Sequence, residues 1–254
     1  MFPSLTAPVI FAHRGACSHA PENTLAAFQL AVDQGAKAIE LDVQLSKDRE
    51  VVVFHDVHLG RTTNGSGRLI DHTLSELKEL NAALSFTPAY QQEKIPTLAE
   101  VFEILPPDII INIELKNLHA SCDSLPARTA LIIRRYKAEE RVLISSFNAI
   151  ALRKFFQEIP SIPLGRLLYT KRAVNLYSNL PLLHKKYQSV HLSYKSLDPQ
   201  IISGFKETGK KVFAYTLNHT QDILNAIRMG IDGFFTDDPG FANRILLQEG
   251  LLSQ

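Results

Sequence analysis

The stretch Ala38-Ile39-Glu40-Leu41-Asp42-Val43-Gln44-Leu45 decides how the rest of the chain is read. It reads as a β-strand, and the strand period of two puts Glu40 and Asp42 on one face. A second stretch, Ile111-Asn112-Ile113-Glu114-Leu115-Lys116, sets Asn112, Glu114 and Lys116 on one face between apolar partners. Outward from these two, short apolar runs recur at 9–12, 142–145, 163–168, 189–193, 211–215 and 232–235. Helical patterns separate them near 22–34, 124–137, 148–157, 174–186, 198–208, 219–229 and 240–248. With 38–45 and 109–113 the strands number eight. Alternating strands and helices argue for βαβ units and a parallel sheet, and eight strands close a barrel. The expected fold is therefore α/β, a (β/α)8 TIM barrel. An open doubly wound sheet would want a glycine-rich phosphate turn after its first strand, whereas 9–12 runs into His13-Arg14-Gly15.

A barrel of this kind takes about 250 residues, and the chain has 254, so it reads as a single domain over 1–254. One region breaks the rhythm. After the extended segment 51–54 and His55-Asp56, residues 56–108 hold the turn-rich Thr62-Thr63-Asn64-Gly65-Ser66-Gly67, a short helical pattern at 73–81 and a polar run at 90–94. This is expected to be a small insertion over one end of the barrel, capping the mouth and shaping what binds there. A homodimer contact is also expected of it, because a stretch of this length is usually functional.

Hydrophobic residues make up 45% and charged residues 21% of the chain, and the formal net charge is +1. A near-neutral chain argues against nucleic acid or an acidic membrane as partner, so anion recognition should be local. No run approaches the ~18 apolar residues of a membrane span, and the start Met1-Phe2-Pro3-Ser4-Leu5 lacks a basic, signal-like region. Two cysteines, Cys17 and Cys122, are too few for a disulfide scaffold and fit a reducing compartment. A soluble, cytoplasmic protein is the expectation. Cys17 is read as a small buried residue in preference to a reactive thiol.

Active sites of such barrels lie at the carboxyl ends of the strands, where this chain places its polar residues. If 38–45 and 109–116 are neighbours, Glu40, Asp42 and Glu114 converge. Three like charges in one mouth repel unless a cation sits between them, and oxygen-only ligands select a hard ion, Mg2+ or Ca2+, with Mg2+ preferred. The bland alternative is a structural network with Arg14 and Lys116; it suits one carboxylate better than three. His13 and His55 both follow apolar strands beside those carboxylates and suit general acid–base work. Arg14 and Lys116 are fixed positive charges, and Arg14 offers a planar fork to phosphate oxygens. Together these groups suit displacement at a phosphate diester. Asn23 and Thr24 read as helix-capping residues, and Glu22 as an acceptor behind the site.

The ordered set His13-Arg14-Gly15, Pro21-Glu22-Asn23-Thr24, Glu40-Leu41-Asp42-Val43 and His55-Asp56 resembles the glycerophosphodiester phosphodiesterase family. So do Arg61 to Gly67, Ile95-Pro96-Thr97-Leu98, Glu114-Leu115-Lys116, Ser145-Ser146-Phe147 and Gly233 to Pro239, so the likeness spans nearly the full chain. The resemblance implies a (β/α)8 barrel that hydrolyses glycerophosphodiesters, a small-molecule substrate class, to glycerol 3-phosphate and an alcohol. It implies His13 and His55 as the acid–base pair, Glu40, Asp42 and Glu114 as metal ligands, and Arg14 and Lys116 as phosphate-holding groups. Tyr215 stands where the family commonly carries tryptophan, and the chain has no tryptophan. Tyr215 and Phe147 are candidates for the pocket wall. Two competing readings are a phosphate-binding barrel without catalysis and another metal enzyme on the same fold, either a second type of phosphodiesterase or an enolase-like lyase. The presence of every expected residue type weighs against the first, and the His13-Arg14 and His55-Asp56 pairs against a lyase.

Overall fold

The computed structural model describes residues 8–252 except 85, 87, 118–122 and 179–185. Eight parallel strands close on themselves: β1 (Val9–His13), β2 (Ala38–Leu45), β4 (Ile110–Leu115), β5 (Val142–Ser146), β6 (Leu164–Leu168), β7 (Ser189–Ser193), β8 (Lys211–Tyr215) and β9 (Gly233–Thr236). Closure is made where β1 pairs with β9 on one side and β2 on the other. The remaining strand, β3 (Val51–Val53), does not join the barrel. It runs antiparallel on the upper half of β2, with Val43 opposite Val53, on the edge β1 leaves open beyond Glu40. This return strand carries the chain back to the mouth, where the Phe54 amide donates to the Asp42 carbonyl at 3.0 Å or less (2.9 Å).

The helices are α1 (Leu25–Asp33), α2 (Leu74–Glu79), α3 (Leu98–Ile104), α4 (Leu125–Arg135), α5 (Ala149–Glu158), α6 (Lys171–Ser178), α7 (Pro199–Glu207), α8 (Thr220–Arg228) and α9 (Pro239–Gln248). Several begin on side-chain caps just past a strand: Thr24, Asn148, Asp198 and Asp238 each accept backbone amides of the first turn. Of the expected helix 174–186, the part 179–185 lies outside the described residues. The sequence patterns did not include α3. It packs between α1 and α4 as the barrel's second outer helix, and its capping box between Thr97 and Glu100 was the available signal. At seven residues it is too short to complete an amphipathic repeat.

The core has an outer and an inner part. Between strands and helices, apolar side chains such as Phe28, Val101, Ile133 and Phe155 fill one half of the ring and Val190, Phe205, Ile223 and Leu246 the other. Inside the barrel, Phe11, Phe213 and Phe235 plug the lumen with Ile110 and Leu143. Phe11 stacks on Phe235 at 4.8 Å and meets Phe213 edge-on at 5.2 Å. That apolar plug floors the cavity lined by the polar groups at the carboxyl ends of the strands. The segment between β3 and α3 has its own small core of Phe54, Leu59, Leu69, Leu77 and Ile95. No helix among the described residues is long and apolar enough to cross a membrane.

Candidate active site

Strand register assembles the acidic centre. His13 lies opposite Glu40, Glu40 opposite Asn112, and Asp42 opposite Glu114. One carboxylate oxygen from each of Glu40, Asp42 and Glu114 lies within 4.8 Å of the others, and all three residues are buried. At that separation two full charges repel by at least ~3 kcal/mol at an effective dielectric of about 20. The three carboxyls respond unequally. Burial, then the charges of Asp42 and Glu114, push Glu40 well above the usual carboxylate range. Glu114 is raised to about 7, chiefly by burial and also by Asp42, against the opposing pull of Lys116. Asp42 goes the other way: burial alone would raise it, but Lys116, Arg14, His55 and the Asn23 amide together hold it well below its ordinary value.

Asp42 is therefore the anion that organises the mouth. Arg14 Nε lies 3.3 Å from its Oδ2 and Lys116 Nζ 3.6 Å from its Oδ1. Lys116 Nζ also meets Glu114 Oε1 at 3.0 Å. Asn23 clasps Asp42 from behind, its side-chain amide donating to Oδ2 at 2.9 Å and its carbonyl accepting the Asp42 amide at 3.3 Å. Expected only as a capping residue, Asn23 instead braces a carboxylate, while Thr24 alone caps α1. The turn that delivers Arg14 is tight. Arg14 and Gly15 both have left-handed φ, 55° and 85°, and a side chain on Gly15 would lie 2.6 Å from the Ala27 backbone, so only glycine fits. The turn also aims the Arg14 amide at Glu40 Oε2, 3.0 Å away.

Each histidine is held through Nδ1, which leaves Nε2 for chemistry. His55 Nδ1 lies 2.5 Å from Asp56 Oδ1, and His13 Nδ1 2.7 Å from Asp237 Oδ1. Burial lowers the His55 pKa; Asp42 opposes this, and Arg14 and Lys116 reinforce it. Asp237 is fixed by Asn218, whose side-chain amide donates to Oδ2 at 2.5 Å and whose carbonyl accepts the Asp237 amide at 2.9 Å. Arg61, from the segment after β3, links the two sides. It donates to Asp56 Oδ2 at 2.5 Å and to both Glu22 oxygens at 2.7 Å, while Glu22 Oε1 also accepts from Arg14 Nη1 at 2.8 Å. Glu22 is thus the acceptor behind the site that its position suggested. The sequence reading assigned no role to Asp237 or Arg61. Asp237 sits 224 residues from His13 and only the β1–β9 seam brings them together.

His13, Arg14, Glu40, His55, Glu114 and Lys116 line one cavity of about 200 Å3, with Asp42 directly behind the wall. Tyr215 and Phe147 form part of its apolar side, edge-on at 6.2 Å, and the Tyr215 hydroxyl donates away to the Leu168 carbonyl at 3.0 Å. Cys17 is half-buried with its pKa pushed up, first by burial and then by Asp237, so it stays a thiol at neutral pH. Cys122 lies outside the described residues.

The donor set fits a hard divalent cation. Three buried carboxylates face two fixed cations, two of the carboxyls are driven toward their neutral form, and an ion among them would relieve the burial and the mutual repulsion together.

Fold and site define a class: a (β/α)8 barrel enzyme with an acidic mouth flanked by two carboxylate-held histidines. The model of the glycerophosphoryl diester phosphodiesterase family matches residues 13–241, and the chain belongs to that family. A glycerophosphodiester phosphodiesterase of Caldanaerobacter subterraneus is 41% identical over 232 residues, 91% of this chain and 94% of that one. One from Bacillus altitudinis is 36% identical, covering 93% and 97%. Among solved structures, an Oleispira antarctica phosphodiesterase in complex with the product sn-glycerol-3-phosphate superposes with a TM-score of 0.86 at 34% identity, covering 94% of this chain and 97% of that one.

The carboxyl shifts set a direction for pH. Glu114 favours the protonated form in the folded protein, so its contribution to stability is present at low pH and lost as pH rises through about 7, and Glu40 is shifted in the same direction. A cation must displace those protons. Thermal unfolding with and without Mg2+ should therefore show a larger rise in Tm at about pH 8 than at about pH 5.5. Equal gains at both pH values would contradict an ion held by these carboxylates.

Proposed function

We propose that the protein hydrolyses glycerophosphodiesters to glycerol 3-phosphate and an alcohol, using one divalent cation at Glu40, Asp42 and Glu114. The observation that carries this is the convergence of that trio with two carboxylate-held histidines in a single cavity. The Oleispira relative, bound to sn-glycerol-3-phosphate, supports the substrate class. When bound, the cation supplies Lewis-acid neutralisation of the phosphate oxygens; Mg2+ suits the small all-oxygen set better than Ca2+, which takes more ligands.

Arg14 and Lys116 hold the phosphate from the protein side, Arg14 through the part of its guanidinium left free by Glu22 and Asp42. His13 and His55, each presenting Nε2, form the acid–base pair: one accepts the nucleophile's proton while the other donates to the departing alkoxide. Asp237 and Asp56 fix which nitrogen does so. Tyr215 and Phe147 give the alcohol an apolar wall. Residues 1–254 act as one barrel domain with 56–108 as its insertion, on a small molecule in the cytoplasm, a compartment in keeping with the free thiol of Cys17. The insertion also forms a homodimer contact.

His13→Ala should lower turnover about 100-fold or more, with glycerol 3-phosphate release abolished by chelator and restored by Mg2+; near-normal turnover in that variant would remove His13 from the acid–base pair. Arg61→Ala should lower kcat/KM roughly 10- to 100-fold by loosening His55 and Arg14. Freed of Arg61, Asp56 becomes a stronger acceptor for the imidazole, so the limb of the pH–rate profile that reports His55 should move to higher pH. An unmoved limb would show that Arg61 does not act through His55. Light scattering should give twice the monomer mass for the intact chain and the monomer mass after the 56–108 loop is shortened, and a monomer in both cases would refute the dimer contact.

A further inference from the structure

A second group of ligating atoms lies on the other side of His13. Asp237 Oδ1 accepts from His13 Nδ1 at 2.7 Å and from Cys17 Sγ at 3.3 Å, and the three atoms lie within 4.8 Å of one another. The chemistry differs from the acidic trio: one imidazole nitrogen, one sulfur and one oxygen. A hard ion such as Mg2+ has little use for sulfur, whereas Zn2+ takes this mixture in tetrahedral sites.

Two features make the group a built site. Asp237 is held rigidly by Asn218 through both its side chain and its amide, and its carbonyl accepts the Ser18 amide at 3.0 Å, which locks the loop carrying Cys17 against β9. Access exists as well. Cys17, with Pro21, Glu22 and Arg61, lines a separate pocket of about 120 Å3, and the His13 and Asp237 side chains are 21% and 27% exposed. A water or a small anion can therefore complete the coordination sphere from that side. With bonds of about 2.0–2.3 Å, tetrahedral ligand atoms sit about 3.3–3.7 Å apart. The Cys17–Asp237 spacing of 3.3 Å already falls in that range, whereas the His13–Asp237 spacing of 2.7 Å must open by at least about 0.6 Å as the ion replaces the hydrogen bond.

We propose that His13, Cys17 and Asp237 form a binding site for a thiophilic divalent cation, Zn2+ fitting it best, and that its occupancy inhibits the enzyme. On binding, the Cys17 S–H bond breaks and its proton goes to solvent. The neutral His13 ring shifts its proton from Nδ1 to Nε2 so that Nδ1 can ligate, and no oxidation state changes. With Nε2 protonated and no lone pair left on either nitrogen, His13 can no longer accept a proton from the reacting centre, and the ligated neutral ring is too weak an acid to serve as the donor either. The inhibitory half rests on the acid–base role proposed for His13; the site itself does not.

The test uses the intact protein saturated with Mg2+. Titration with Co2+ as a spectroscopic probe should give a near-ultraviolet thiolate-to-cobalt band in the unaltered chain and in Cys122→Ser, and none in Cys17→Ser. Zn2+ should inhibit, with each variant referred to its own zinc-free rate, and the midpoint should rise at least about ten-fold in Cys17→Ser, as loss of one strong ligand requires. Absence of the band from the unaltered chain, or its persistence in Cys17→Ser, would overturn the site. Zinc inhibition equally potent in Cys17→Ser would place the ion in the acidic trio and also overturn the proposal. A band without inhibition would overturn the inhibitory half and count against His13's role in turnover.

Discussion

Repulsion among three carboxylates in a closed space governs the architecture of this mouth. Buried within 4.8 Å of one another, Glu40, Asp42 and Glu114 cannot all be anions without nearby positive charge. Arg14 and Lys116 supply two charges, and Asp42 takes most of their benefit. The imbalance that remains, three acids against two bases, falls on Glu40 and Glu114. A divalent ion would reverse it and leave the mouth with a surplus of positive charge, which is what an anionic diester needs. In a chain whose formal net charge is only +1, attraction of an anion is thus created locally at the mouth, not across the surface.

Around that centre, each reactive side chain is held by a partner from another element. The left-handed turn at Arg14 and Gly15 fixes the guanidinium. Asn23 holds Asp42, Asp237 holds His13, and Asp56 with Arg61 holds His55. Arg61 and Glu22 then join the segment after β3 to the first loop through two hydrogen bonds, and each is anchored on its own side, Arg61 to Asp56 and Glu22 to Arg14. Binding geometry is set by this outer network as much as by the groups that would touch the ligand.

Much of this was legible in the sequence, and for identifiable reasons. Strand period alone aligned Glu40 with Asp42 and Asn112 with Glu114, and the eight apolar runs correspond to the eight barrel strands with ends shifted by a residue or so. The inner site residues stood out because charged groups at the ends of apolar strands demand explanation. Their supporting partners did not. Asp237 lies in a run whose neighbours are equally polar, and its pairing with His13 depends on closure of the ring. Asn23 looks like an ordinary capping residue, and only its left-handed φ of 58° reveals another task. Arg61 lies in a turn-rich region where an arginine is unremarkable, and α3 was too short to display a period. Local pattern reveals what a residue is; who holds it is a property of register and closure.

Closure has a consequence for when the site comes into being. β1 carries His13 and is synthesised first, while its anchor Asp237 follows β9, the strand that seals the seam. Neither β1 nor its imidazole has a settled orientation until that last strand arrives. A chain still emerging from the ribosome can gather its carboxylates and both cationic residues early, since these come from β1, β2 and β4. It cannot fix its first histidine until nearly the whole polypeptide has been released. A chain truncated before β9 therefore lacks the carboxylate that orients His13.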